Sequence, residues 1–490
     1  MKMRIKDRLN RENLSRGASY IKRNGVVPSF YKAYERLIRD EDEKDYMKTS
    51  DVFDEIAGRE QRELEENRKF THNYRISIIV PAYETDPEYF REMALSVITQ
   101  TYTNWELVIA DASESDKVKF VVDAIRKEFG ERASETKLKY IRLPENKGIS
   151  GNTNEALKAA TGEYIGLLDH DDVLTENALY EVMEVLESGL INKGLSYENN
   201  IKVIYSDEDK VNSDMSKFFD YHKKPDFDID LLRTNNYICH FFVVRKELAD
   251  EVNGFNPEFD GSQDHDFILR CVEKLERSQI KHIDKVLYHW RSHINSTATN
   301  PDSKLYAYEA GKKAVMAHLD RLGIKAEVTD TLHLGFYRVK YQVSASELTD
   351  IKIMSLDELK ALSYDEIKEI EESYILILND NVKPKNPEFI EEFLGHLKRP
   401  EVGCVGGLVI SKNGKIESAG YKKDGDTMIP EFAGLNRHFS GYLHRAKLQR
   451  MVDGVCTDCM MIKKSALTED KKMSPDYIVV YTPYSVFKRA

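Results

Sequence analysis

A short apolar run that ends in acidic residues constrains the fold of this chain more than any other feature. Residues 164–168 have the length and composition of a buried strand, and four polar residues follow at once: Asp169, His170, Asp171 and Asp172. Open α/β sheets bind ligands in the crevice at the carboxyl ends of their strands. Asp169 and Asp171 are two positions apart, so both carboxylates can face one divalent cation. An acidic loop or a helix N-cap accounts for these residues equally well.

Apolar strands and amphipathic helices alternate on the amino-terminal side of this run. Strands are predicted at 76–80, 105–111 and 139–143, with helices between them. This alternation is typical of an α/β fold with a Rossmann-like, mostly parallel sheet. Residues at the strand ends form a candidate nucleotide site: Pro81, Ala82, Tyr83, Glu84, Asp111, Lys147 and Asn152. The turn at 146–152 matches neither GxGxxG nor a P-loop, so the sequence supports neither of these phosphate-binding motifs.

Composition excludes several classes of function. The chain has 490 residues, enough for two or three domains, and its net charge of −12 argues against a nucleic-acid binder. No apolar run approaches the ~20 residues of a membrane span, and the basic start lacks the apolar core of a signal peptide. Five cysteines favour a reducing compartment, and Cys456 and Cys459 are interpreted as structural thiols. A cytoplasmic protein is expected.

The first 39 residues differ from the rest of the chain in charge. They contain eleven Lys/Arg and three acidic residues, a net charge of +8, with apolar residues interspersed. A basic, amphipathic segment of this kind can bind the anionic inner face of a cell membrane. A solvated helical segment that packs on the next domain is the alternative, and the sequence leaves both open.

Ordered motifs between residues 75 and 325 resemble glycosyltransferase family 2. The motifs are Ile-Ile-Val-Pro-Ala-Tyr at 78–83, Ser-Val-Ile-Thr-Gln-Thr-Tyr at 96–102, Trp-Glu-Leu at 105–107, Asn-Lys-Gly at 146–148 and Leu-Asp-His-Asp-Asp at 168–172. The resemblance implies a GT-A fold and inverting sugar transfer from a nucleotide-diphosphate sugar, with a UDP- or dTDP-sugar as the expected donor. It also implies a glycan or lipid-linked acceptor in bacterial cell-surface polysaccharide synthesis, with rhamnosyl transfer among the candidate reactions.

The same resemblance assigns roles to individual residues. Asp171, Asp169 and His289 are expected to hold Mn²⁺ or Mg²⁺, with Asp169 alternatively on the ribose. Asp264 corresponds to the catalytic base, although Gln263 precedes it where the family often has Glu; Asp266 is the alternative acid. Other residues are expected to bind the nucleotide or the donor: Pro81, Ala82, Tyr83, Glu84, Asp111, Lys147, Asn152, His170 and Arg291. Residues 296–298 follow in a loop expected to close over the donor.

The acceptor pocket has weaker sequence support. Residues 203–210 are another apolar run that ends in acids, and Trp290 lies within residues 287–293, which end another short strand. Acceptor contacts are therefore expected from Asp207, Asp209 and Trp290. A solvated turn explains the two acids equally well.

The carboxy-terminal third contains a weak copy of the apolar run and acidic residues at 163–172. Residues 373–382 align with residues 163–172 at an offset of 210, but Asn379 and Asn381 replace Asp169 and Asp171. An amide binds a divalent cation more weakly than a carboxylate. Three regions are therefore predicted: a charged helical extension at 1–73, a GT-A catalytic domain at 74–325, and a smaller, degenerate GT-A-like domain at 326–490. The last is expected to be non-catalytic and to bind acceptor, support the first domain or form a homodimer contact.

Two other functions fit parts of this pattern. A non-catalytic nucleotide-sugar-binding scaffold of a glycan-assembly complex needs no full catalytic set, whereas this chain keeps Asp169, Asp171, Asp264 and His289. A nucleotidyltransferase shares the sheet and the metal, but it requires a Gly-rich, basic loop after the first strand, which this sequence lacks.

Overall fold

The chain divides into two compact units. The computed structural model describes residues 18, 20–38, 55–193, 196–292 and 305–490, so the predicted donor loop at 296–298 lies outside the described residues. The large unit comprises residues 42–227 and 235–323, and the small unit comprises residues 1–41, 228–234 and 324–490. The predicted extension at 1–73 is therefore divided between the two units.

The large unit alternates strands with α-helices. In chain order its described strands are β1 (Ile76–Ala82), β2 (Trp105–Asp111), β3 (Leu138–Arg142), β4 (Tyr164–Leu167), β5 (Val173–Leu174), β6 (Leu190–Lys193), β7 (Ser196–Asn199), β8 (Val203–Asn212), β9 (Phe218–His222), β10 (Phe242–Arg245) and β11 (Ile280–Ser292). Its described α-helices are Glu55–Asn67, Pro87–Ile98, Lys117–Phe129, Gly148–Ala159, Ala178–Ser188, Lys246–Glu251, Gln263–Val272 and Leu305–Arg321.

Strand direction brings the functional strand ends to one edge. The main sheet has the order β3-β2-β1-β4-β10-β8-β11-β5, with β9 beside β8. Strands β1 to β4 are parallel, β10 runs antiparallel between β4 and β8, and β11 is parallel to β8. Strands β8 and β11 therefore point the same way as β4, and their carboxyl ends share its edge. The predicted α/β class is confirmed, but antiparallel β5, β9 and β10 make the sheet more mixed than predicted.

Apolar residues at regular spacing attach the helices to this sheet. The helix Pro87–Ile98 starts at the N-cap Asp86, whose carboxylate accepts the Glu88 N–H, and it buries one apolar face. Strand β4 is so closely covered that a Cβ on Gly166 would lie 2.6 Å from Cδ1 of Ile78. Close packing therefore requires a glycine at position 166.

The small unit is built on a second mixed sheet. Its described strands are β12 (Ala326–Asp330), β13 (Tyr337–Tyr341), β14 (Ile351–Met354), β15 (Tyr374–Leu378), β16 (Val382–Pro384), β17 (Val402–Ile410), β18 (Ile416–Ser418), β19 (Tyr421–Asp424), β20 (Thr427–Pro430), β21 (Arg450–Val452), β22 (Cys459–Lys463) and β23 (Ile478–Arg489). Its described α-helices are Val26–Ile38, Ile229–Thr234, Leu356–Ala361, Tyr364–Glu369 and Phe389–Leu397. Cys456 and Cys459 are buried, free thiols in its core.

The second sheet repeats the topology of the first. Its order β14-β15-β22-β17-β23-β16 corresponds to β1-β4-β10-β8-β11-β5, with a hairpin partner, β18, beside β17 as β9 lies beside β8. Each corresponding pair also keeps its parallel or antiparallel direction. Among the described strands, nothing in the small sheet corresponds to β2 and β3. The internal repeat seen in sequence is therefore a structural repeat, and the prediction of a smaller α/β copy is confirmed.

The basic amino-terminal segment contributes a helix to the small unit. The Glu35 carboxylate on the helix Val26–Ile38 accepts hydrogen bonds from the N–H groups of Ser440 (2.9 Å) and Gly441 (2.7 Å). Tyr31 stacks on His438 with ring centroids 4.4 Å apart. The helix thus packs on its own unit along one side.

Candidate functional site

The acidic loop after β4 is anchored by Asp172. This side chain is buried, and its carboxylate accepts hydrogen bonds from the Tyr288 hydroxyl (2.5 Å) and the Arg291 backbone N–H (2.7 Å). Burial raises the pKa of Asp172 well above its usual value, and the charges of Asp171 and Asp169 act in the same direction. Asp172, which the sequence did not single out, therefore fixes the loop and leaves Asp169 and Asp171 half-buried at the strand-end edge.

Asp169 lies among several charged groups. Burial raises the pKa of Asp169, the nearby His240 acts against this shift, and the charges of Asp171 and Asp264 act with it. The two predicted acidic ligands, Asp169 and Asp171, and the predicted base Asp264 therefore lie close enough for their charges to interact. A divalent cation relieves repulsion of this kind between carboxylates, so Asp169 and Asp171 suit hard-cation binding.

The Arg291 side chain is bound to the backbone of the acidic loop. Its side chain is fully buried: Nε donates to the Asp171 carbonyl (2.6 Å), Nη1 donates to the Ser213 carbonyl (2.8 Å), and Nη2 pairs with Glu92 (2.6 Å). The guanidinium also lies over the ring of Tyr89. These contacts correspond to a positioning role and do not support the predicted contact of Arg291 with a diphosphate.

The two acids in the first turn of Gln263–Val272 have different environments. Asp266 is buried and pairs with Arg270 at 2.6 Å. Asp264 is half-buried, and its Oδ2 accepts a hydrogen bond from Nδ2 of Asn236 at 2.9 Å. No donor among the described residues reaches Oδ1 of Asp264. Of the two candidates, Asp264 is therefore the acid with a carboxylate oxygen available to a ligand.

The predicted nucleotide residues near β1 and β2 are partly used by the protein itself. Asp111 is buried, and its carboxylate accepts hydrogen bonds from the Ser113 N–H (2.9 Å) and the Tyr140 hydroxyl (2.8 Å). The Glu84 carboxylate accepts the Ser115 N–H (2.8 Å), which ties the two strand-end loops together. Pro81 and Ala82 are strand residues of β1, whereas Tyr83 is 45% exposed beside them.

The turn before Gly148–Ala159 is held by amide side chains. Asn152 is buried, its Oδ1 accepts the Lys147 N–H (3.1 Å), and its Nδ2 donates to Oδ1 of Asn146 (2.9 Å). Lys147 is exposed and reaches Glu155 at 3.1 Å. Asn152 therefore shapes the turn, whereas the Lys147 ammonium lies at the surface in an exposed ion pair, which contributes little stability.

The predicted acceptor and histidine residues divide between the two faces of the sheet. Nδ1 of His289 lies 2.5 Å from Oδ1 of Asp209, its neighbour across β8 and β11. Successive strand residues face opposite sides, so Trp290 lies on the other face. There Nζ of Lys210 is 5.4 Å from its ring centroid. Asp207 is buried against Nε2 of His282 at 2.8 Å. Asp207, Asp209 and Trp290 therefore do not form one pocket wall.

Comparison with known proteins identifies the large unit. Residues 77–252, from β1 to just after the helix Lys246–Glu251, match the family model described as Glycosyl transferase family 2. The chain contains a glycosyltransferase family 2 domain. The GT-A fold expected from the motifs is confirmed by this match and by the strand order of the sheet. Asp264 and His289 lie beyond the matched residues, so the match by itself assigns neither of them a role.

Curated relatives resemble the chain over different shares of its length. The uncharacterized protein y4gI of Sinorhizobium fredii is 29% identical over 81% of this chain and 49% of its own length. The O-antigen biosynthesis protein RfbC of Myxococcus xanthus is 27% identical over 70% of this chain and 30% of its own length. The β-1,3-glucosyltransferase WfgD of Escherichia coli is 32% identical over 29% of this chain and 48% of its own length. The chain thus spans half or less of each relative.

The small unit replaces the charged groups of the family 2 site. Asn379 stands at the end of β15, where Asp169 follows β4, and its Nδ2 donates to Oδ1 of Asp458 at 2.7 Å. The Arg489 guanidinium near the end of β23 pairs with Asp458 (2.5 Å) and Glu417 (2.6 Å). A fixed cationic side chain therefore compensates these acids.

Sequence reasoning missed a second group of polar residues in the family 2 domain. Ligand atoms of Glu208, Cys239 and His240 lie within 4.8 Å of one another, the one such trio among the described residues. Oε2 of Glu208 also lies 3.3 Å from Nζ of buried Lys224. This buried ammonium already balances the Glu208 carboxylate and would repel a cation, so the trio is better explained as a hydrogen-bonded cluster than as a metal centre. The adjacent Cys239 and His240, just before a strand, were the available signal.

Proposed function

We propose that this chain is a metal-dependent, inverting glycosyltransferase of cell-surface glycan synthesis. It transfers a sugar from a nucleotide-diphosphate donor to a polysaccharide or lipid-linked acceptor. One observation carries the proposal. One carboxylate oxygen of Asp264 accepts a hydrogen bond from Asn236, and no hydrogen-bond donor among the described residues reaches the other oxygen. The similarity to the O-antigen biosynthesis protein RfbC and to the β-1,3-glucosyltransferase WfgD supports a role in surface polysaccharide synthesis.

Asp264 is the proposed general base. Inversion requires the acceptor oxygen to attack the anomeric carbon on the side opposite the leaving diphosphate, and its proton must leave during the attack. Oδ1 of Asp264 takes this proton while Oδ2 stays bound to Asn236. Asp266 is unsuited to the role because its carboxylate is buried against Arg270.

Asp169 and Asp171 are the proposed cation ligands. A bound Mn²⁺ or Mg²⁺ supplies positive charge that stabilises the departing diphosphate. His289 fits as a third ligand through Nε2, because a ligating histidine commonly donates its other ring N–H to a carboxylate, here Asp209. Among the described residues, however, the ligand atoms of Asp169, Asp171 and His289 do not all lie within 4.8 Å of one another. Asp209 then orients His289 and has no contact with the acceptor.

The donor is proposed to lie along the carboxyl ends of β1 and β4. Exposed Tyr83 offers a ring for the nucleobase, and exposed Lys147 offers a charge for phosphate. Asp111 and Glu84 shape this side through their contacts with Ser113 and Ser115. Trp290 offers a half-buried ring for an acceptor sugar.

The small unit is proposed to be a non-catalytic copy. The Asn379 amide is a weaker cation ligand than a carboxylate, and the Arg489 guanidinium already pairs with Asp458 and Glu417. Transfer is therefore expected from the family 2 domain alone.

Calorimetry with a nucleotide panel tests the proposal. UDP, dTDP and GDP are titrated with and without Mn²⁺, and nucleoside diphosphate release is then followed with UDP-glucose, UDP-N-acetylglucosamine, dTDP-rhamnose and GDP-mannose. We expect Mn²⁺ to raise the affinity for one nucleotide by about tenfold or more. We also expect the sugar donor that contains this nucleotide to be turned over. Metal-independent binding would contradict the proposed cation site, and no turnover with any donor would contradict the transferase assignment.

We also propose that the amino-terminal helix binds an anionic membrane at the inner face of the cell membrane, where a lipid-linked acceptor lies. The side of Val26–Ile38 away from the small unit exposes Val26 (72%), Val27 (62%) and Phe30 (64%), within a segment of net charge +8. Apolar side chains and basic charge together are typical of interfacial helices. No helix among the described residues is long and apolar enough to cross a membrane.

Sedimentation with vesicles of phosphatidylglycerol and phosphatidylcholine tests membrane binding. The variant V26E/V27E/F30E is expected to lose about tenfold or more in vesicle affinity, because its apolar contacts and part of its charge attraction are removed. Ile353→Glu is the control, since Ile353 is 58% exposed on the same unit but outside the basic segment. Equal binding of the triple variant and the wild-type protein would exclude this surface.

A further inference from the structure

Two residues of the segment 236–240 contact the same oxygen of the Asp264 carboxylate. Nδ2 of Asn236 donates to Oδ2 of Asp264 at 2.9 Å, and the Cys239 Sγ–H donates to the same oxygen at 3.7 Å. Oδ1 of Asn236 in turn accepts the Cys239 N–H at 3.2 Å. The two donors are thus fixed to each other as well as to Oδ2.

His240 continues this chain of contacts into the core. Its Nε2 lies 3.5 Å from Sγ of Cys239, and its Nδ1 lies 3.1 Å from Oε2 of Glu208. The imidazole stacks on Tyr288 with ring centroids 4.5 Å apart and an interplanar angle of 11°. Buried Lys224 donates through Nζ to the Ile238 carbonyl (2.6 Å) and contacts the carbonyl of His240 and the carboxylate of Glu208. The backbone and side chain of His240 are therefore both immobilised.

The protonation state of Cys239 suits a hydrogen-bond donor. Burial raises the pKa of the Cys239 thiol to about 11, so the S–H is retained at neutral pH. Of the chain's five free cysteines, Cys239 is the one that is half-buried, and the other four are buried. Its thiol lies next to the acid proposed as base.

We propose that Asn236, Cys239 and His240 form a clamp that positions Asp264 for proton abstraction from the acceptor. The inference rests on the proposed transferase function and deepens it by naming positioning residues. With Oδ2 held from two directions, the carboxylate cannot rotate freely, and Oδ1 stays directed away from the clamp. Reaction rates depend steeply on the placement of a catalytic group, so loss of the clamp lowers turnover without removing the base. The buried pair of Glu208 and Lys224 holds the clamp in place.

Paired substitutions at Cys239 test the clamp. Cys239→Ala removes the S–H, and Cys239→Ser replaces it with an O–H donor of similar size. With the donor that gives most turnover in the nucleotide-sugar panel, we expect Cys239→Ala to lower kcat about tenfold, the size of effect of one lost hydrogen bond to a charged group. The donor KM should stay within about twofold, because Asp264 does not hold the donor. Cys239→Ser should restore kcat to within about threefold of wild type.

A matched control separates positioning from a general loss of structure. Cys271 is a buried thiol on the helix that carries Asp264, and its Sγ makes no hydrogen bond to Asp264. Cys271→Ala should change thermal stability with little change in kcat. The double variant N236A/C239A should lower kcat about a hundredfold, because both donors to Oδ2 are lost.

The outcomes distinguish the clamp from the function on which it rests. Unchanged kcat in Cys239→Ala would overturn the clamp while wild-type turnover still supports the transferase. So would a fall in kcat that serine does not reverse, or a change in donor KM alone. Absence of wild-type turnover with every donor in the panel would overturn both proposals. If Cys239→Ala does not fold, the serine variant and Asn236→Ala provide the same comparison.

Discussion

Asp264→Asn lowers turnover by about 10²- to 10⁴-fold, the range that general-base catalysis contributes. The amide retains the shape of the side chain and can still contact Asn236 and Cys239, but it cannot accept the proton of the acceptor hydroxyl. Donor binding should stay within about twofold of wild type, because Asp264 has no role in holding the nucleotide. Nucleoside diphosphate release measures turnover, and calorimetry measures donor affinity.

Asp266→Asn is the matched control for this variant. Both acids lie in the first turn of Gln263–Val272, but Asp266 is buried against Arg270. Its substitution leaves the partly buried guanidinium of Arg270 without its carboxylate, so it should lower the thermal midpoint while kcat changes little. Wild-type turnover by Asp264→Asn, or a larger loss of kcat in Asp266→Asn, would contradict the assignment of the base.

The double variant D169N/D171N is expected to lose the Mn²⁺-dependent part of nucleotide binding and with it nearly all transfer. It gives the family 2 domain the amides that the small unit carries at Asn379 and Asn381. Mutation of a residue that only hydrogen-bonds to a metal ligand typically lowers metal affinity by about 10- to 100-fold. Removal of two direct ligands should lower it by at least that much. Calorimetry of the preferred nucleotide with and without Mn²⁺ measures the loss.

Asp380→Asn in the small unit is the control for the double variant. Asp380 lies in the loop equivalent to that of His170, and it is exposed. Its substitution should leave metal-dependent binding and turnover unchanged. Retained Mn²⁺ dependence in D169N/D171N would show that the cation is held elsewhere, and equal losses in Asp380→Asn would show that the small unit takes part.

Topology accounts for most of what the sequence predicted correctly. Strands that alternate with helices are joined by right-handed crossovers and run parallel. The parallel direction of β1, β2, β3 and β4 could therefore be predicted from local periodicity. The repeat at offset 210 was visible because apolar runs of equal length preceded both acid or amide loops. The family match from 77 to 252 lies within the predicted limits of 75 and 325.

Side-chain partners were harder to predict, because they come from distant parts of the chain. Nothing in local sequence indicates that Asp111 bonds to Tyr140 or that Arg291 is buried between Glu92 and Asp171. The local sequence around an acid at a strand end is the same whether the side chain faces a ligand or a neighbouring loop. Burial and pairing decide between these roles, and both depend on packing across the sheet.

The sequence by itself determined that this chain builds a mostly parallel α/β sheet with acids at the ends of its strands, and that a second, amide-bearing copy follows. Regular apolar spacing and residue type suffice for those conclusions, since they act over a few neighbouring positions. Only the tertiary structure decided which acids are exposed to a ligand. It directs Asp172 and Asp266 inward, joins His289 to Asp209, and brings residues 236–240 against Asp264. These outcomes depend on contacts between residues far apart in sequence, which local patterns do not encode.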